Sequence, residues 1–247
     1  MLFKCDKKSF DRFVTIHKKS VTEYPVRKLN AKCKYYLVIV EPRVHPNFEF
    51  VCKTMLRFTN SDWGLHVFHG NTNALFVKRM LQDIPNVKYT NLSVTNLSIK
   101  EYNKLLTSVW FYEQLLSKKF LLFQTDSCLL RDGIEQFLEF DYIGAPWPHR
   151  HNQIGNGGFS LRDKHVCIQI CKMIPYNGKL HEDVYFSNHM KKVKAKLPDF
   201  KTACSFSCEL IPTTEIPLGV HQFVDNIKCL SLHETFNKHF TFSGSIP

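Results

Sequence analysis

Phe120 to Leu130 reads FLLFQTDSCLL, where four consecutive large apolar residues run directly into Gln124, Thr125, Asp126 and Ser127. A run that is apolar on both faces predicts a strand inside a parallel sheet covered by helices. Ligands of open α/β sheets gather at the carboxyl ends of the strands, so Asp126 stands where chemistry is done in such folds. An Asp-Ser pair after a strand also simply turns the chain. The surrounding sequence has to separate these two readings.

Upstream, strand and helix patterns alternate. Tyr35 to Val40, YYLVIV, is a β-branched and aromatic run ended by Glu41-Pro42-Arg43. Phe48, Val51, Cys52, Met55 and Leu56 share one face of a helix predicted over Asn47 to Phe58. Trp63 to Phe68 predicts a second strand, Asn73 to Leu81 an amphipathic helix and Val87 to Leu92 a third strand. Ser98 to Leu116 opens on a capping-box pattern, Ser98 with Glu101, and predicts one long helix with Tyr102, Leu105, Leu106, Val109, Phe111 and Leu115 on its apolar face. This alternation predicts an α/β domain with a Rossmann-like, mostly parallel central sheet and helices on both faces.

Downstream the pattern changes. A short helix is predicted around Ile134 to Glu139, then Asp141 to Trp147 (DYIGAPW), a histidine-rich loop over His149 to Gln153, and Gly155 to Arg162 (GNGGFSLR). Lys164 to Met173 predicts a helix, and another begins at His181-Glu182-Asp183-Val184. The last fifty residues carry the basic run Lys191 to Lys196, short strands predicted near Phe200 to Ile211, and Gly219-Val220-His221. Residues 1–33 are Lys-rich and read as a basic peripheral extension with a helix over Ser9 to Lys18. Residues 34–247 read as one domain, with a nucleotide-binding half to about 130 and an acceptor-side half beyond it.

A chain of 247 residues with 44% hydrophobic composition fills a real core, which excludes general disorder. The formal charge of +11 points to an anionic partner or to a solvated basic surface. Nine cysteines without a CxxC pair read as free thiols in a reducing, cytoplasmic setting. There is no signal-peptide core at the amino terminus and no apolar run of membrane-spanning length. In that setting the sequons at Asn91 and Asn96 meet no glycosylation machinery. The Lys-, Asn- and Phe-heavy composition fits an AT-rich genome such as that of a large DNA virus.

Beside Asp126 stand three further elements. The glycines of GNGGFSLR allow close backbone approach to a ligand and turns closed to other residues, although the segment lacks the phosphate-loop spacings. Glu182-Asp183 opens a predicted helix, where acidic residues are favoured by the dipole alone. His221 lies late in the chain in a Gly-x-His context.

In this order the motifs resemble the GT-A glycosyltransferases, nucleotide-sugar-dependent enzymes. More closely, the chain resembles an uncharacterised group of them that carries QTDS, YIGAPW, GNGGxSLR and EDVxFS. The resemblance covers about residues 35–225. It implies a single GT-A-like domain and transfer of a sugar from a UDP- or GDP-sugar donor to a hydroxyl of a glycan, protein or small-molecule acceptor. The family phrase at the end of this strand is aspartate, any residue, aspartate; Gln124 stands in the first aspartate's place and Asp126 in the second's. The resemblance implies Mn²⁺ or Mg²⁺ held by Asp126 and His221, a set of ligands compatible with such ions. It implies donor contacts from Val40, Glu41, Arg43, Gln124, Thr125, Asn156, Gly157 and Gly158. It further implies Asp183 as the general base of an inverting reaction, Glu182 binding hydroxyls, and Arg43 or Arg162 beside the departing diphosphate.

Two other readings accompany this one. A basic nucleic-acid-binding protein would use the charge with Trp63, Trp110 and Tyr185, although no RNP, KH, zinc-finger or helix-turn-helix pattern is present. A catalytically degenerate GT-A scaffold would explain Gln124.

Overall fold

The computed structural model describes residues 8–148 and 155–241. The apolar runs form the strands of a six-stranded sheet: β1 (Tyr35–Val40), β2 (Trp63–His69), β3 (Lys88–Asn91), β4 (Lys119–Phe123), β6 (Tyr142–Gly144) and β7 (Phe159–Asp163). Their order is β3-β2-β1-β4-β7-β6. The first four are mutually parallel, while β7 runs antiparallel to both β4 and β6. The FLLF strand therefore has one parallel and one antiparallel neighbour. A second sheet of order β5-β9-β8 joins β5 (Ser127–Leu129), β9 (Gly219–His221) and β8 (Ser207–Cys208).

Strand alternation divides the core. Leu37, Ile39, Leu121 and Phe123 face one apolar cluster, which also holds Phe10, Phe13, Val14 and Val21 of α1 (Ser9–Glu23) and Phe48, Val51, Met55 and Leu56 of α2 (Phe48–Arg57). Tyr36, Val38, Val40, Phe120 and Leu122 face the other, with Leu106 of α4 (Ile99–Leu106), Phe111 and Tyr112 of α5 (Val109–Glu113), Cys167 and Ile170 of α6 (Lys164–Met173), and Phe186 of α7 (Glu182–His189). Phe120 to Phe123 are fully buried, each such side chain contributing about 1.5–3 kcal/mol of transfer free energy. The remaining helices are α3 (Ala74–Met80), α8 (Phe200–Phe206) and α9 (Leu232–Lys238).

Four sequence expectations change. The segment expected as a peripheral extension carries α1, whose Phe10, Phe13 and Val14 pack into the main core, because its apolar residues recur on one helical face. The single helix over Ser98 to Leu116 is two, interrupted at Thr107–Ser108: the Ser108 side chain accepts from the Phe111 N–H and starts a new helix. The Ser98–Glu101 capping box is present at the start of α4. The region near Phe200 to Ile211 is mostly helical, nucleated by Asp199, whose carboxylate accepts from the Thr202 N–H, and only Ser207–Cys208 is a strand. GNGGFSLR, expected as a turn, runs into β7. The His149 to Gln153 loop and residues 1–7 lie outside the described residues. Among the described residues no helix is long and apolar enough to cross a membrane.

Candidate active site

The turn after β4 is closed by a hydrogen bond from the Ser127 N–H to the Gln124 carbonyl at 3.2 Å, which leaves Asp126 at its crest. Ser127 then begins β5, whose antiparallel register sets it opposite His221. The Gln222 N–H donates to the Asp126 carbonyl at 2.8 Å, and Gln222 itself has φ +60, a left-handed conformation uncommon for a side-chain-bearing residue. Local turn chemistry and one long-range strand pairing thus place Asp126 against His221.

His221 Nε2 lies 3.4 Å from Asp126 Oδ1, and neither atom has a hydrogen-bond partner although both are buried. On its other side, His221 Nδ1 contacts Glu209 Oε1 at 3.0 Å, and Asn156 Nδ2 donates to the same oxygen at 2.8 Å. Burial alone would lower the His221 imidazole, but the carboxylates of Asp126 and Glu209 outweigh it and raise it to about 10. Burial acts to raise the Asp126 carboxyl, and His221 outweighs it and holds the group below its ordinary range. The site therefore concentrates negative charge around one imidazole.

This arrangement fits a divalent ion. With its pKa at about 10 the imidazole is charged at neutral pH, so a cation would enter by displacing the Nε2 proton; the freed lone pair would then stand beside a carboxylate oxygen while Nδ1 donates to Glu209, the arrangement metal-binding histidines use. No group of three or more His, Cys, Asp or Glu side chains suited to a metal stands together among the described residues. Asp126 and His221 alone would leave an ion to complete its shell from ligand or water.

All the candidate residues named from the sequence except Arg162 line one cleft of about 460 Å³: Val40, Glu41 and Arg43 at the end of β1, Gln124, Thr125 and Asp126 after β4, Asn156, Gly157 and Gly158 before β7, Glu182 and Asp183 opening α7, and His221 ending β9. That volume lies in the ordinary range of ligand pockets. Arg43 grips Glu41 through Nε and Nη2, each at 2.8 Å, and Asn73 pins the loop by donating to the Glu41 and Arg43 carbonyls. Gln124 Nε2 donates to the Tyr102 hydroxyl at 3.0 Å, so the amide in the first acid's place ties the turn to α4.

The glycines act differently from expectation. Gly155, Gly157 and Gly158 are not in the left-handed region. A Cβ on Gly157 would lie 2.0 Å from Glu182 Oε1, and one on Gly158 would lie 2.2 Å from His221 Nε2. Their bareness admits the site's own side chains.

Arg162, expected beside a diphosphate, is fully buried instead. Its Nη1 and Nη2 meet the Glu182 carboxylate at 2.8 and 2.9 Å. Burial works against the guanidinium, but Glu182 outweighs it and holds Arg162 firmly charged. Both Glu182 oxygens are thereby engaged. Asp183 is held by the Gly157 N–H at 3.3 Å and the Val184 N–H at 2.7 Å.

Sequence reasoning missed Glu209, Tyr102, Asn103 and Gln222. Asn103 Oδ1 accepts the Glu182 N–H at 2.9 Å, linking α4 to the start of α7. Tyr102 and Asn103 sit within an ordinary helical pattern, and Glu209 has no local signature. Of the aromatics weighed for nucleic acid, Trp63 and Tyr185 are buried and Trp110 is 46% exposed.

The fold is that of the GT-A-like glycosyltransferases. It is shared with the apo form of mouse xyloside xylosyltransferase 1, at a TM-score of 0.50 and 12% identity, over 78% of this chain and 99% of that one. It is shared too with the apo form of the glycosyltransferase GlyE of Streptococcus pneumoniae TIGR4, at a TM-score of 0.50 and 9% identity, over 86% of this chain and 61% of that one. At such identities the likeness is one of fold. The chain itself belongs to the family described as "Protein of unknown function (DUF5672)", which matches residues 86–221. No curated protein matches it.

Proposed function

We propose that the chain is an inverting glycosyltransferase that moves a sugar from a UDP- or GDP-sugar to an acceptor hydroxyl with the help of Mn²⁺ or Mg²⁺. The observation that carries this reading is the buried pair Asp126 Oδ1 and His221 Nε2, 3.4 Å apart with no hydrogen-bond partner for either atom, in residues that line the same cleft as Asp183. The names of the two solved structures that share the fold support the reaction class.

Asp126 and His221 would hold the ion, which when bound supplies Lewis-acid stabilisation of the departing diphosphate. Asp183 takes the proton of the acceptor hydroxyl as its oxygen bonds to the anomeric carbon and the bond from that carbon to the phosphate oxygen breaks. The N–H groups of Gly157 and Val184 keep the Asp183 carboxylate oriented for this transfer. Arg43, 55% exposed at the cleft rim, is the cation placed to meet phosphate oxygens; Arg162 serves instead to orient Glu182.

The test is nucleotide binding with and without Mn²⁺, followed by transfer from a panel of donors. Asp126→Ala should lose the Mn²⁺-dependent part of UDP or GDP affinity, and unchanged dependence excludes the metal role. Asp183→Asn should keep nucleotide binding and lose transfer by about 10²-fold or more. Retention of configuration in the product overturns the base assignment. Nucleotide binding without transfer to any acceptor marks the scaffold reading, and stabilisation by oligonucleotide alone restores the nucleic-acid reading.

A further inference from the structure

The cleft does not end at Asp183. A second depression of about 280 Å³ shares Ile99, Asn103 and His181 with it and continues outward along Lys100, Tyr176, Gly178, Lys179 and Leu180. It runs between the first turn of α4 and the loop that joins α6 to α7. His181, the N-cap residue of α7, stands at the junction, two positions before Asp183.

The two cavities differ in charge. The cleft carries the carboxylates Glu41, Asp126 and Glu182, paired with Arg43, His221 and Arg162, together with Asp183, whereas the outer groove has no acidic residue in its lining and carries Lys100 and Lys179. Neither ammonium group is paired among the described residues, and both residues are exposed. Tyr176 adds a fixed aromatic surface: its hydroxyl donates to the Leu180 carbonyl and its ring meets Tyr185 edge-on at 5.6 Å. Ile99, 71% exposed, adds an apolar contact at the entrance. At Gly178, φ is +78 and a side chain would meet nothing within 4 Å, so the turn leaves the groove open.

From this we infer that the groove is an acceptor subsite for glycans bearing a negatively charged group, such as a uronate, sulfate or phosphate, beyond the sugar whose hydroxyl reacts. The inference rests on the proposed transferase reading for the identity of the inner cleft. Sugar rings offer apolar faces that pack on Tyr176 and Ile99, while Lys100 and Lys179 attract the anion. Asp183, the inner acid with no cation beside it, stands next to the reacting hydroxyl and disfavours an anionic group there, while the two lysines draw that group outward. Two lysines on opposite walls also discriminate between anionic and neutral glycans without touching the reacting atoms.

The experiment measures binding of a glycan array, in which neutral oligosaccharides are matched with uronate-containing, sulfated and phosphorylated counterparts, to the whole chain. Wild type should bind the charged members about five- to tenfold tighter than their neutral matches at low salt. The double variant Lys100→Ala/Lys179→Ala should lose that preference, and Lys100→Arg/Lys179→Arg should keep it. Because the chain carries a formal charge of +11, a control pair removes the same charge elsewhere: Lys191→Ala/Lys192→Ala should leave the preference unchanged. Equal loss in the control pair, or no preference in wild type, overturns the subsite. Mn²⁺-dependent UDP or GDP binding is measured in parallel on every variant. Intact nucleotide binding with no glycan preference sinks the groove alone. Glycan preference without any nucleotide binding sinks the transferase reading and leaves an anionic-glycan site.

Discussion

A Cβ on Gly158 would stand 2.2 Å from Nε2 of His221, closer than carbon and nitrogen approach without a bond. The glycine before β7 and the histidine ending β9 therefore occupy one shared space. Gly158→Ala should push the imidazole off Asp126, at a stability cost of about 1–3 kcal/mol for overpacking. Mn²⁺-dependent nucleotide affinity should fall more than tenfold while circular dichroism stays native. Unchanged affinity would mean that His221 Nε2 is not used.

Glu209 contacts both His221 Nδ1 and Asn156 Nδ2, at 3.0 and 2.8 Å, and on the proposed reading would position the histidine for the ion. Glu209→Ala should weaken Mn²⁺ binding by about 10–100-fold, the usual cost of losing the partner of a ligating histidine. Glu209→Gln keeps an acceptor for Nδ1 and should recover much of the loss. Isothermal titration with Mn²⁺ in the presence of nucleotide separates the two; equal behaviour of both variants and wild type would show that the contact orients nothing.

Breaking the Arg162–Glu182 pair strands a buried charge. Arg162→Leu should cost about 3–5 kcal/mol in urea unfolding. The double variant Arg162→Met/Glu182→Leu, which removes both charges together, should be more stable than the single one. A single variant as stable as wild type would show that water reaches the pair.

His66 on β2 makes stability depend on pH. It is buried, its Nε2 meets Thr90 Oγ1 at 2.8 Å, and its ring stacks on Phe68 at 4.3 Å. Burial, aided by Lys88, lowers its pKa from 6.5 to about 4. The unfolded chain takes up this proton near pH 6.5 and the folded chain only near 4, so the unfolded state binds more protons between them. Stability falls as pH falls through that window, by on the order of 3 kcal/mol from this residue. In His66→Gln the slope of unfolding free energy against pH from 6.5 to 4 should be shallower; an identical slope would assign the loss to other groups.

The repeating pattern from Tyr35 to Phe123 was legible because each strand buries both faces and each helix one stripe, and both signatures are local. The break at Ser108 was hidden by an apolar face that continues across it, and the helix at Phe200 by residues whose type suits strand or helix equally. Tertiary packing settled both.

Motif order, read through the resemblance to the GT-A glycosyltransferases, marked Gln124 to Asp126, Asn156 to Gly158, Glu182 to Asp183 and His221, and the structure gathers them all on one cleft. Their division of labour came from elsewhere. The β5–β9 register set His221 against Asp126, the antiparallel course of β7 carried Arg162 inward to Glu182, and Glu209 reached His221 from β8's end of the small sheet. Such contacts join residues far apart in the chain. Local periodicity says which face of a strand or helix is buried, but the partner across the gap is decided only when the elements pack and every buried charge must find an opposite one.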